Sequence, residues 1–354
     1  MNKVDRDYLD LLKDIVENGS EKDTRSGKVK SVFGRQLRFD LKESFPLLTT
    51  KKVYMKGVIH ELLWFLQRPY NAHNSMNIEY LIRNGVHIWD DDAYRWFKTN
   101  IAPSLKGNIK DIFVCTNDDE LEWDKAPVFE YWIENEIRKN DDTWLENITK
   151  EEFLDLTAQR VEIHGSFMSS YRFGDLGPIY GTQWRSFGES YKDQIFDVIK
   201  TLKENPNDRR MICLAYNPDK LDEMALPPCH VMMQFYTRKL DEETYGLSCM
   251  WTQRSVDTPL GLCWNIVSYA LLTHMIANVV GMVPDELIGS LGDCHIYLNQ
   301  MDGVMEQLGR EGSDILPQIK IRRKVDEIED FVFEDFEIED YEPNPPIKFP
   351  LSVG

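Results

Sequence analysis

The chain has 354 residues, enough to bury a sizeable core in one large domain or in two. A hydrophobic content of 42% with 9 Trp and 17 Phe excludes a disordered polymer, and a formal net charge of −19 excludes general binding to nucleic-acid backbone, which needs clustered cations. The six cysteines, at 115, 213, 229, 249, 263 and 294, show neither CxxC nor metal-ligand spacing, so no metal centre is expected. No signal-peptide pattern opens the sequence, which leads us to expect reduced thiols in a cytoplasm.

In chain order, residues 4–17 place Leu9, Leu11, Leu12, Ile15 and Val16 at helical spacing, and Asn18-Gly19 closes that helix. Asp23-Thr24-Arg25-Ser26-Gly27 reads as a polar loop feeding a strand over 29–39. Phe45-Pro46-Leu47-Leu48-Thr49-Thr50-Lys51-Lys52 leads into a helix over 57–67 that Pro69 stops. Inside it, Glu61 is one carboxylate in an apolar run; it either faces water at the helix edge or is held in a site, because carboxylates are seldom buried alone. Residues 92–175 are acidic and rich in aromatic residues. The spacing of Phe129, Trp132, Ile133 and Ile137 allows amphipathic helices, and we expect an inserted helical subdomain there. The adjacent Arg209 and Arg210 stand at the start of a strand. The apolar run over 266–280, broken by Ser268, His274 and Asn278, reads as a core helix ending near Gly281, too short and polar to span a bilayer.

Chemistry concentrates at Leu226-Pro227-Pro228-Cys229-His230, where two prolines stiffen the approach to a thiol at the mouth of an apolar strand. Such a cysteine is most often a small core residue, and its partners give the functional reading. They lie in Gln253-Arg254-Ser255-Val256-Asp257, in Leu260-Gly261-Leu262-Cys263-Trp264-Asn265 and in Gly292-Asp293-Cys294-His295-Ile296-Tyr297. Together they supply a fixed cation, hydroxyls, an amide that donates and accepts, and a His/Tyr pair on one face of an extended segment. That set suits a nucleotide monophosphate beside a nucleophile.

With Ile88-Trp89-Asp90 and Leu176-Gly177-Pro178-Ile179-Tyr180-Gly181, these motifs resemble the thymidylate synthase family from Arg25 to the C-terminus. The resemblance implies an α+β, three-layer fold with a large mixed β-sheet flanked by helices, forming one catalytic domain over 1–354 interrupted at 92–175. It implies transfer of a one-carbon unit from 5,10-methylenetetrahydrofolate to C5 of deoxyuridylate (dUMP). Cys229 would add to C6, with Glu61, Asn265, Tyr180, Asp257 and Arg254 as catalytic partners. Substrate binding is implied for Arg25, Arg209, Arg210, Gln253, Arg254, Ser255, Asn265, His295 and Tyr297, and folate binding for Lys51, Ile88, Trp89, Asp257, Leu260, Gly261, Trp264 and Val353. Arg209 and Arg210 would reach across a homodimer interface to the other subunit's phosphate. A thiol among such arginines should titrate below its free value of ~8.5. No nucleic-acid or membrane partner is expected.

The family divides at the exocyclic methylene that forms on C5. Hydride gives thymidylate; water gives 5-hydroxymethyl-dUMP, as in some phages with modified DNA, which would place the enzyme in a host cytoplasm. Departures from the usual synthase gather on the folate side: Pro259 for an aromatic residue, Cys263-Trp264 for Pro-Phe, a short Arg25 loop, and a tail carrying Ser352 and Gly354. Reductive methylation is the leading expectation and dUMP hydroxymethylation the alternative. A catalytically idle nucleotide- or RNA-binding relative is a third reading.

Overall fold

Helix α1 (Lys3–Asn18) begins where the Asn2 side chain accepts the Asp5 amide, and it buries Val4, Tyr8, Leu9, Leu11, Leu12 and Ile15 along one stripe. The hairpin of β1 (Ser20–Thr24) and β2 (Gly27–Asp40) follows, with Thr24 paired to Gly27. The polar loop expected at 23–27 is therefore the end of a strand and a tight turn made by Arg25 and Ser26. Strand β1 is exposed at every residue, so it lacks the apolar alternation that marks a strand.

The computed structural model describes residues 1–68, 75–105, 114–115, 147–158, 160–163, 166–169 and 173–351. They form two compact units. The first, residues 1–68, 183–218 and 228–354, is built on a six-stranded mixed sheet in the order β1-β2-β9-β8-β7-β6. Here β6 is Ile212–Leu214, β7 His230–Lys239, β8 Tyr245–Asp257 and β9 Val283–Tyr297. Only the β8–β9 pairing is parallel. Parallel neighbours require a crossover, supplied by helix α8 (Cys263–Val280), which is buried on nearly every side. The helical run Thr258–Val280 is longer than the expected 266–280. By length and composition it could cross a membrane, but most of it is buried inside the protein. Gly281, at φ 74°, ends it as the sequence suggests.

Helix α2 (Met55–Leu66) buries every residue from Gly57 onward, including His60 and Glu61. The approach to it is fixed by Asp5, wholly buried, whose carboxylate accepts from the amides and hydroxyls of Thr49 and Thr50. Helices α7 (Gln194–Glu204) and α9 (Met301–Leu308) and the pair β10 (Gln318–Ile321) and β11 (Phe336–Glu339) complete this unit.

The second unit, residues 69–182 with 219–227, holds α3 (Glu79–Arg83), α4 (Asp90–Trp96) and α5 (Lys150–Ala158), with α6 (Tyr180–Arg185) starting at its end. It also contains an antiparallel sheet in the order β3 (Val114–Cys115), β5 (Ser166–Ser169), β4 (Arg160–Ile163), strands that the helical reading of this region did not include. Phe97, Phe153 and Phe173 form its aromatic centre, the Phe97 and Phe173 rings stacking at 4.7 Å. Phe129, Trp132, Ile133 and Ile137 lie outside the described residues.

Candidate active site

Cys229 stands one residue before β7, and its carbonyl accepts the Arg254 amide at 2.8 Å, tying the mouth of β7 to β8. The Arg254 guanidinium folds back onto the same corner: Nε donates to Pro228 O at 2.9 Å, and Nη2 lies 3.9 Å from Cys229 Sγ. The rigid proline backbone thus positions the cation as well as the thiol. Of Cys213, Cys229, Cys249, Cys263 and Cys294, Cys229 alone is partly exposed. Cys213, Cys249, Cys263 and Cys294 are buried, and burial pushes the Cys249 and Cys294 thiols up to about 12, where they are inert. The neighbouring His230 is half-buried: desolvation pushes its imidazole down to about 4, and Nδ1 lies 3.2 Å from the Tyr269 hydroxyl.

Asn265 sits in the first turn of α8 with its carboxamide orientation set by a relay. The Trp251 indole, which can only donate, gives its N–H to Gln253 Oε1 at 3.1 Å. Gln253 must therefore point Nε2 away, where it donates to Ser255 O at 3.1 Å and to Asn265 Oδ1 at 3.0 Å. Both ends of Gln253 are thus committed to protein. Gln253, expected at the substrate, thus lies against Asn265 and fixes which way its Oδ1 is turned.

At the end of β9, His295 and Tyr297 share a face with ring centroids 5.2 Å apart, and His295 Nδ1 is 3.4 Å from Asp293 Oδ1. Tyr297 hydrogen-bonds Ser26 of the β1–β2 turn. Its hydroxyl is pushed up mainly by burial, further by the fields of Asp257 and Cys229, and is drawn down by Arg25. The exposed Arg25 thus acts on the same hydroxyl as Cys229. Asp257 pairs with His295 across the parallel strands and caps the turn Thr258–Leu262, accepting the Leu260 amide at 3.1 Å. Burial holds its carboxyl above the ordinary range against the pull of the Gln300 and Leu260 N–H groups. Gln300 Nε2 donates to Asp257 Oδ2 at 2.8 Å and to Pro350 O at 3.1 Å; nothing in the sequence pattern singled it out.

The same turn carries Leu260 and Gly261, and a Cβ on Gly261 would lie 3.9 Å from Asn265 Oδ1. Lys51 is buried, donating to Pro259 O with its ammonium 4.7 Å over the Phe349 ring. Glu61 is only 7% exposed, and Trp264 Nε1 donates to its Oε2 at 2.6 Å, so the carboxylate is held inside the protein and not at a water-facing edge.

Three expected residues lie in the second unit. Trp89 is buried with its ring 6.0 Å from that of Tyr180, and Ile88 is exposed. Arg209 and Arg210 precede β6, both exposed, and Arg210 pairs with Asp208, holding that carboxyl at about 2. Val353 lies outside the described residues. Among the described residues, no group of His, Cys, Asp or Glu is arranged to hold a metal ion.

An aimed thiol with a cation at its side, an oriented carboxamide and an enclosed carboxylate make this the working surface of a thiol-dependent transferase. Comparison with known proteins places it more narrowly. The thymidylate synthase family model matches residues 6–353. The thymidylate synthase of Listeria innocua is 40% identical over 353 residues, covering 98% of this chain and 100% of that protein. The human thymidylate synthase is 38% identical over 358 residues, covering 98% and 90%, and that of Mycoplasma mobile is 37% identical over 348 residues, covering 98% and 99%. The chain belongs to the thymidylate synthase family.

Proposed function

We propose that this protein methylates dUMP reductively, taking both the one-carbon unit and the hydride from 5,10-methylenetetrahydrofolate and releasing thymidylate and dihydrofolate. The Arg254 guanidinium 3.9 Å from Cys229 Sγ carries this reading, because it stabilises the thiolate as it forms and as it leaves. Cys229 adds to C6 of the uracil ring, giving C5 the enolate character needed to bond the methylene carbon. The C5 proton then departs, and Glu61, enclosed beside the turn that bears Asn265, is the group we assign to relay it. With Oδ1 aimed by Gln253, Asn265 has a second lone pair for N3–H and its amide hydrogens for O4, the pattern uracil presents and cytosine reverses. Loss of the C5 proton expels tetrahydrofolate from the bridging carbon and leaves an exocyclic methylene on C5. Hydride from the tetrahydrofolate then adds to it, closing the methyl group and producing dihydrofolate, and the thiolate is expelled from C6.

Hydroxymethylation is the weaker reading, because relatives matched along nearly the whole chain are thymidylate synthases by name. Incubating the protein with dUMP and methylenetetrahydrofolate tests this directly. Rising dihydrofolate absorbance with a methylated nucleotide by mass supports the proposal; a flat trace with a hydroxymethylated nucleotide overturns it.

The working form we propose is a homodimer. Ile212 pairs with Gln234 in antiparallel register, so Arg210 and Arg209 fall beside Tyr236 and Thr237, toward the end of β7 away from Cys229 and roughly 20 Å from it at the strand rise. They are too far to serve the Cys229 of their own chain. Trp251 stacks on Tyr269 of α8, so the alternate residues Met232, Tyr236, Met250 and Ile288 point away from that helix. Tyr236 is 64% exposed, and on the neighbouring strand Ile212 beside Gln234 and Leu214 beside Met232 are exposed too, a surface that we propose a second copy covers, bringing its arginines across. Equilibrium sedimentation showing only monomer would remove this part. Cys213, Cys249, Cys263 and Cys294 are free thiols, which fits a reducing compartment, and we assign the protein to a cytoplasm.

A further inference from the structure

We propose that Trp264 is a positioning residue that holds the Glu61 carboxylate in its ionised form through the indole N–H, which deepens and rests on the relay role assigned to Glu61. An indole nitrogen has a hydrogen to give and no lone pair to offer, so the 2.6 Å bond to Oε2 has one direction. Such a donor binds a carboxylate more tightly than a carboxylic acid and resists its protonation. A phenylalanine at this position would be smaller and donate nothing.

The surroundings are built for the larger ring. Gly57 lies one helical turn before Glu61 on α2, and a Cβ there would meet Trp264 Cη2 at 2.3 Å and Tyr54 Cδ1 at 2.7 Å. Tyr54 lies on another side of the indole, with ring centroids 6.4 Å apart. The slot made by a missing side chain and a tyrosine ring thus fixes the plane in which the N–H is presented. Trp264 and Asn265 are adjacent on the first turn of α8, so one turn supplies both the uracil-facing amide and the donor to the proton-relay group.

Among the described residues, α2 and the elements packed on it carry further charges. The helix itself carries Lys56 and His60, and His60 stacks on Phe333 at 4.7 Å under the fields of Lys56 and Glu334. The segments Ile328–Asp330 and Phe333–Asp335 that pack on α2 bring Glu329, paired with Arg185, Asp335, paired with Arg323, and the carboxylates of Asp330 and Glu334. From α8 come Cys263, Tyr269 and His274, of which His274 is kept neutral by burial.

The test uses the full-length protein and its Trp264→Phe and Glu61→Gln variants. Release of tritium from 5-tritiated dUMP in the presence of methylenetetrahydrofolate is followed against pH, with infrared titration of the Glu61 carboxyl band alongside. Loss of the donor should move the Glu61 limb of the profile upward by about one pH unit while leaving the KM for dUMP unchanged. Glu61→Gln should abolish the limb. A limb that stays in place in Trp264→Phe but vanishes in Glu61→Gln overturns the inference and leaves the relay role standing. A limb that persists in Glu61→Gln removes the relay role, and the infrared midpoint then decides: equal midpoints in the parent and Trp264→Phe overturn the inference, and a raised midpoint supports it. If Trp264→Phe melts early, benzothienylalanine at position 264, which keeps the shape of the indole without its N–H, takes its place in the same measurements.

Discussion

Gln253 gives a hydrogen to Asn265 Oδ1 over 3.0 Å, and Trp251, able only to donate, dictates which way round that bond must run. The orientation of Asn265, which we propose reads the pyrimidine, is therefore set by Trp251, two residues before Gln253 on β8. Gln253→Met keeps the volume and removes both contacts, so Asn265 is free to turn over. We expect the preference for dUMP over dCMP to fall roughly tenfold and the fold to lose about 1–3 kcal/mol. Nucleotide titrations and urea unfolding would measure the two effects, and an unchanged preference would show that Asn265 does not need the relay.

Asn265→Asp changes the hydrogen-bonding groups themselves. A carboxyl that donates or accepts where the amide did the reverse should favour deoxycytidylate, with each mismatched buried pair costing roughly 1–3 kcal/mol. Competition between the two nucleotides gives the ratio directly.

Cys229→Ser should abolish tritium release from 5-tritiated dUMP while the Kd for dUMP stays within a few-fold, because the serine preserves the backbone contact from Cys229 O to the Arg254 amide. Residual turnover near the parent rate would remove the nucleophile assignment.

Gly57→Ala sets helix propensity against packing. Alanine gains about 1 kcal/mol over glycine inside a helix, yet its Cβ would sit 2.3 Å from the Trp264 ring. We expect a net loss of roughly 1–3 kcal/mol by denaturant unfolding. Combining it with Trp264→Phe should recover most of that loss, a non-additivity that a double-mutant cycle reads directly.

Asp285 links stability to pH. Arg238 and Lys42 hold its carboxyl at about 2, below the ordinary 3.8, and its side chain is 2% exposed. The folded-state value is depressed, so the contribution is complete above 3.8 and is lost as pH falls toward 2. Both cations are half exposed, so its size is on the order of 1–2 kcal/mol. Asp285→Asn should show that deficit at neutral pH and converge on the parent near pH 2.

Where burial follows a period, the sequence already displayed the element. Helix α1 is of this kind, whereas the long helix α8, buried on nearly every side, showed as an apolar run with a glycine stop and β7 as an apolar strand behind Cys229. Strand β1 was hidden because nothing on it is buried. At the site, the thiol, the guanidinium, Asn265 and the His295–Tyr297 pair stood out as chemistry. Gln300 did not, because an isolated glutamine has no periodic or compositional mark. Gly57 left a faint one: a lone glycine inside an apolar helix often signals close approach, here by Trp264.

Strand β2 finds its partner in β9, some 250 residues further along the chain, and the Arg25 turn meets Tyr297 only through that pairing. On the ribosome, the Arg25 turn cannot reach Tyr297 until β9 has emerged. The early hairpin must wait with an unpaired edge, so its maturation is slow and calls for protection from aggregation during synthesis.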